Sequence, residues 1–125
     1  MRAMVVDDSK AMRRYLTSIL SANDFEVSEA ADGQDALQVL ATMEPPELVL
    51  VDWNMPNMDG LQLVNAIRAD KRYHATRLMM VTSETETSYV DQALAAGANE
   101  YVMKPFTEET IVEKLALLEL AGNGR

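Results

Sequence analysis

Short apolar runs alternate five times along this chain with longer segments whose apolar residues fall three and four positions apart. The runs at 3–6, 25–30, 48–51, 78–81 and 101–103 have the length and residue types of β-strands. The segments between them carry helical spacing: Met12, Leu16, Ile19 and Leu20 in the first, Ala36, Leu37 and Leu40 in the second, and Leu61, Val64 and Ile67 in the third. Val90 and Leu94 mark the fourth, and Ile111, Leu115 and Leu118 the last. Punctuation agrees with these limits. Asp32-Gly33 precedes the second helix, Pro45-Pro46 follows it, and Gly97 closes the fourth. No linker, repeat or low-complexity tract interrupts the pattern, so one domain over residues 1–125 is expected.

Strict alternation of strand and helix argues a parallel sheet with helices on both faces. Right-handed crossovers then leave few topologies. The runs at 48–51 and 78–81 are continuously apolar, as strands buried on both faces must be. Glu26-Val27-Ser28-Glu29 carries polar side chains, which suits an edge strand. A strand order of 2-1-3-4-5 meets both conditions, and it is the order of the flavodoxin-like, doubly wound α/β fold, here (βα)5 with five parallel strands.

Composition narrows the chemistry. Hydrophobic residues make up 48% of the chain, enough for a packed core without disulfides, and there is no cysteine to form one. The net charge of −9, from 20 acidic against 11 basic residues, repels phosphate backbones and argues against direct nucleic-acid binding. The N-terminus lacks the long apolar core of a signal peptide, and the apolar runs are too short to span a bilayer. A soluble cytoplasmic protein is the expectation.

In a parallel sheet every strand ends at the same edge, where ligands bind. The first strand ends in Asp7-Asp8, the third in Asp52, the fourth in Thr82 and the fifth in Lys104. An aspartate after one strand is ordinarily a turn or cap residue. Three carboxylates, a hydroxyl and an ammonium on one rim call for another reason. Two carboxylates about 4 Å apart repel by roughly 4 kcal/mol at an effective dielectric of 20, so converging ones need a cation or protons. Hard oxygen ligands in small number suit Mg²⁺, which can also clamp an incoming phosphoryl group. Asp52, on the central strand, is the candidate nucleophile, and its attack on phosphorus gives an acyl phosphate. Lys104 and Thr82 can then bind the new phosphoryl oxygens.

At this point the motifs become specific. Asp7-Asp8-Ser9, the stretch Asp52-Trp53-Asn54-Met55-Pro56-Asn57-Met58-Asp59-Gly60-Leu61, Thr82-Ser83 and Lys104-Pro105-Phe106 resemble the response-regulator receiver domain of two-component signalling, and most closely the stand-alone chemotaxis-type receivers. Those receivers are themselves an example of the 2-1-3-4-5 order. The resemblance covers essentially the whole chain. It implies phosphorylation of Asp52 by a histidine kinase or histidine phosphotransfer protein. It also implies Mg²⁺ held by Asp8, Asp52 and the backbone carbonyl of Asn54, with Asp7 acting mainly through water. Thr82 and Tyr101 would form the switch, the target would dock on the face made by the fourth helix, fifth strand and fifth helix, and the Lys104-Pro105 peptide would be cis. Such a protein catalyses only its own phosphorylation and dephosphorylation. Chemotaxis is the leading pathway.

The remaining residues divide between structure and tuning. Asn54 and Glu84 lie two positions beyond Asp52 and Thr82, near the approach of hydrolytic water, and small Ser83 leaves the acyl phosphate accessible. These three should set the phosphoryl lifetime, and a fairly rapid loss is expected. Trp53 should pack beside the site. Tyr101, by itself, reads as an amphipathic edge-strand aromatic. His74, among Lys71, Arg72 and Arg77, reads as solvated, and the nine methionines, most of them on apolar stripes, as core filler. Three rivals remain. A haloacid-dehalogenase-type phosphatase needs a second aspartate as general acid where this chain has Asn54. A flavin carrier needs a phosphate-cradling loop where it has Asp7-Asp8. A receiver-like scaffold that never takes phosphate would be expected to lack one or more of these groups. The short 121–125 tail carries no output domain, which favours a stand-alone receiver.

Overall fold

The computed structural model describes residues 1–83 and 87–120. Five strands, β1 (Arg2–Val6), β2 (Glu26–Ala30), β3 (Leu48–Asp52), β4 (Arg77–Thr82) and β5 (Glu100–Met103), alternate with five helices. The helices are α1 (Lys10–Ser21), α2 (Gly33–Leu40), α3 (Gly60–Arg68), α4 (Thr87–Ala96) and α5 (Glu108–Leu117). All strand pairs are parallel and the order is β2-β1-β3-β4-β5. The doubly wound, flavodoxin-like arrangement expected from the alternation is the one found. Glu26 and Glu29 do lie exposed on the edge strand β2, and every residue of β3 is buried.

Side-chain alternation sends the strands' residues to two separate cores. Met4, Val6, Val49, Val51, Leu78 and Met80 meet Ala36, Leu40, Leu63, Val64, Ile67 and Ala93 on the α2–α3–α4 face. Ala3, Val5, Leu48, Leu50, Met79, Val81 and Val102 meet Leu16, Ile19, Leu20, Ile111 and Leu115 on the α1–α5 face. The handedness of the crossovers explains the division. The step from β1 to β2 runs one way across the sheet and the later steps run the other, so right-handed connections place α1 opposite α2, α3 and α4. β1 and β3 are neighbours, yet their helices leave to opposite faces. That divergence opens a crevice beyond their carboxyl ends.

Local sequence chemistry sets the element ends. Ser9, not Asp8, is the N-cap of α1, its hydroxyl accepting the Met12 amide. Asp59 and Gln62 form a capping box at α3. Gly97 ends α4 with φ of +116°, a conformation costly for any residue bearing a Cβ. One feature differs from expectation. Leu94, assigned to the apolar stripe of α4, is 45% exposed, because α4 approaches the sheet through the small side chain of Ala93. Segment 71–73 is a 3-10 turn that buries Tyr73, whose hydroxyl donates to the Leu40 carbonyl. Met1 is exposed, although Met4, Met79 and Met80 fill the core. No helix among the described residues is long and apolar enough to cross a membrane.

Candidate functional site

β1 and β3 deliver their acidic residues to the crevice from opposite sides. Asp7 follows the last residue of β1, and Asp52 is the last residue of β3, paired in register with Val81 of β4. One carboxylate oxygen from each of Asp7, Asp8 and Asp52 lies within 4.8 Å of the others. Asp7 and Asp52 are buried and Asp8 is exposed, so the cluster has a closed floor and an open mouth. Lys104 reaches in from the end of β5. Its Nζ donates to Asp52 Oδ1 at 3.2 Å and stands 3.7 Å from Asp7 Oδ2. The Lys104-Pro105 peptide is cis, as the resemblance implied.

The charges do not balance. Burial pushes the Asp7 carboxyl above its ordinary range, against the lowering influence of the Ser9 amide and of Lys104. Asp52 is raised likewise, first by burial and next by the Asp7 charge, with Lys104 opposing both. One ammonium thus serves two buried carboxylates and a third at the rim. Asp7 Oδ1 accepts the Ser9 amide at 2.8 Å, but Asp7 Oδ2 is buried with no hydrogen-bond partner among the described residues. A buried carboxylate oxygen left this way is costly unless a cation meets it. The donor set, all hard oxygen and in excess negative charge, fits Mg²⁺ or a similar divalent cation.

The other residues singled out from sequence distribute around this cluster. Thr82 is buried at the end of β4, one position past Val81, and its carbonyl accepts the Lys104 amide at 2.7 Å. Asn54 and Ser83 are exposed on the loops that follow β3 and β4. Glu84 lies outside the described residues. Trp53 is buried next to Asp52 and meets Tyr89 of α4 edge to face, with ring centroids 5.1 Å apart. Tyr101 is half-buried on β5 and packs against the core on the α2–α3–α4 face. Its ring lies 5.1 Å beneath the Nζ of Lys114, which also pairs with Glu100 at 3.0 Å. His74 is exposed at the end of the 3-10 turn.

Two arrangements escaped the sequence reading. Arg13 donates to the Asp7 carbonyl at 2.6 Å and pairs with Glu29 at 3.2 Å. The Glu100–Lys114 pair braces Tyr101 from α5. Each depends on distances between elements, and nothing in residue spacing announces them.

The profile of the response regulator receiver domain matches residues 3–116. A chemotaxis protein CheY homolog of Campylobacter jejuni is 41% identical over 125 residues, covering 99% of this chain and 96% of that protein. Chemotaxis protein CheY1 of Helicobacter pylori is 41% identical over 119 residues, covering 94% and 96%. Among solved structures, the chemotaxis response regulator CheY4 of Vibrio cholerae superposes with a TM-score of 0.87 at 32% identity, covering 94% of this chain and 97% of that one.

Proposed function

Because the chain belongs to the response regulator receiver family, we propose that it is a phosphoacceptor switch: Asp52 takes a phosphoryl group and the change in charge alters a partner-binding surface. The observation that carries this reading is the buried Oδ2 of Asp7, which has no hydrogen-bond partner among the described residues and faces a Lys104 already hydrogen-bonded to Asp52. That imbalance suits a site completed by a divalent cation and an incoming phosphoryl group. Asp8, Asp52 and the Asn54 carbonyl would hold Mg²⁺, with Asp7 contributing through water. When bound, Mg²⁺ supplies the positive charge that offsets the carboxylates and the phosphoryl oxygens.

An Asp52 carboxylate oxygen attacks phosphorus of a phosphohistidine on a kinase or phosphotransfer protein. The new O–P bond replaces the N–P bond, and the imidazole leaves with its electron pair. Lys104 ion-pairs the transferred group, and the Thr82 hydroxyl hydrogen-bonds to it. Tyr101, packed at the edge of the α2–α4 core, transmits the rearrangement to the face formed by α4, β5 and α5. Leu94 of α4 and Leu117 of α5 are exposed, which suits a protein partner. The chemotaxis relatives favour a chemotaxis circuit. Asn54 cannot serve as a general acid, so turnover of external phosphate esters is not expected. Asn54, Ser83 and Glu84 would set how long the acyl phosphate survives.

Incubation with acetyl phosphate and Mg²⁺ tests this reading by intact mass and Trp53 fluorescence. The expected result is a gain of one phosphoryl group and a fluorescence change, both lost in Asp52→Asn and in EDTA. Decay after donor removal should slow or quicken when Asn54 and Glu84 are both replaced by alanine. No phosphoryl gain with acetyl phosphate, and no response to beryllofluoride, would make the chain a scaffold that does not use phosphate.

A further inference from the structure

The β1–α1 turn carries two of the three clustered carboxylates, and its shape is held from outside the cluster. The Asp7 amide donates to the Ala30 carbonyl at 3.1 Å, and Asp7 Oδ1 accepts the Ser9 amide. The Asp7 carbonyl accepts Arg13 Nη1 at 2.6 Å. Oδ2 of this residue has no hydrogen-bond partner among the described residues and lies 3.7 Å from Lys104 Nζ. The carbonyl lies in the same rigid plane as the Asp8 amide, so fixing it fixes the direction in which Asp8 departs. Arg13 is itself tethered. Its Nε donates to Glu29 Oε1 at 3.2 Å, and the other Glu29 oxygen accepts the Thr17 hydroxyl at 3.1 Å. A guanidinium can make this pair of contacts because its donors form a planar fork.

We propose that Arg13 is a positioning residue for the acidic site, clasping the β1–α1 turn to the edge strand so that Asp7 and Asp8 converge on Asp52. The inference rests on the proposed function for its consequence, though not for its geometry. Two influences of Arg13 oppose each other. As a bare charge near Asp7 it would weaken binding of a divalent cation. As an anchor it strengthens it. Glu29 neutralises the guanidinium, while the short bond to the Asp7 carbonyl is directional, so anchoring prevails.

The test uses the full chain with Arg13→Met, which keeps a long stem and helix propensity without a donor, and Arg13→Lys, which restores a charged donor. In metal-free protein, Ser9 amide exchange should quicken about tenfold in Arg13→Met, the effect expected of one lost charge-assisted hydrogen bond. The Leu50 amide serves as a reference that stays unchanged, and Arg13→Lys should recover part of the protection. Mg²⁺ titration followed by Trp53 fluorescence should show affinity weakened about fivefold in Arg13→Met, a change within the span of one hydrogen bond. Unchanged Ser9 exchange would overturn the clasp, and tighter Mg²⁺ binding would show that Arg13 acts only as a charge. If Mg²⁺ leaves wild-type fluorescence unmoved, the metal reading fails, and Ser9 exchange still decides whether Arg13 holds the turn.

Discussion

At the scale of single residues, Asp7 and Asp52 place a free-energy cost inside the fold. Both carboxyls are raised above the ordinary value of 3.8, chiefly by burial. A carboxylate raised on folding contributes stability that is fully present below its unfolded value and is lost as pH rises through the folded one. Metal-free protein should therefore lose stability as pH climbs from about 4 through the raised values of this pair. Asp52→Asn removes one of the two charges and leaves Lys104 to Asp7, 3.7 Å away. In urea titrations without metal, the variant should exceed wild type by on the order of 1 kcal/mol at pH 7. The difference should shrink toward pH 5. A variant less stable than wild type at both values would mean that the Asp52–Lys104 pair outweighs the carboxylate repulsion.

At the scale of elements, the site depends on how closely helices approach strand ends. Gly60 opens α3 directly against the end of β3, its amide donating to the Trp53 carbonyl at 2.8 Å. A Cβ here would collide with the Asp52 carbonyl and stand 2.9 Å from Trp53 Cα. Both are backbone atoms with no rotamer to yield, so β3 or α3 must shift. Gly60→Ala is expected to cost about 1–3 kcal/mol by urea denaturation. Because one of the displaced atoms is the Asp52 carbonyl oxygen, the variant should also bind Mg²⁺ more weakly than a destabilising change in the opposite core such as Ile19→Val. Equal Mg²⁺ affinity in the two variants would separate the approach of α3 from the site. The N-terminus of α1 illustrates the same dependence. Ser9 caps the helix, which leaves Asp8 free to face the rim.

At the scale of the whole molecule, the doubly wound sheet gathers Asp7, Asp8, Asp52 and Lys104, from the ends of three strands, over a floor of fully buried β-structure. A cation bound there stabilises only the folded chain, so Mg²⁺ at about a hundred times its dissociation constant should add about 2.7 kcal/mol. Melting followed with Mg²⁺, with Ca²⁺ and with EDTA measures this, and a melting temperature indifferent to both ions would remove the metal from the site. How far the sequence reaches can be judged on the same scale. Apolar alternation and polar β2 were enough for the element order and the strand order, because burial on one face or two leaves a periodic trace in composition. Asp7, Asp8, Asp52, Thr82 and Lys104 were legible as rim residues because parallel strands all end on one side. The outward turn of Leu94, the burial of Tyr73, the Arg13 clasp and the brace on Tyr101 were not. Each is set by distances between residues far apart in the chain, which no local period records. The sequence by itself determined which chemical groups reach the rim. Only the tertiary structure decided that one oxygen of Asp7 is buried there with no hydrogen-bond partner among the described residues, because desolvation and pairing are properties of the packed neighbourhood rather than of the residue.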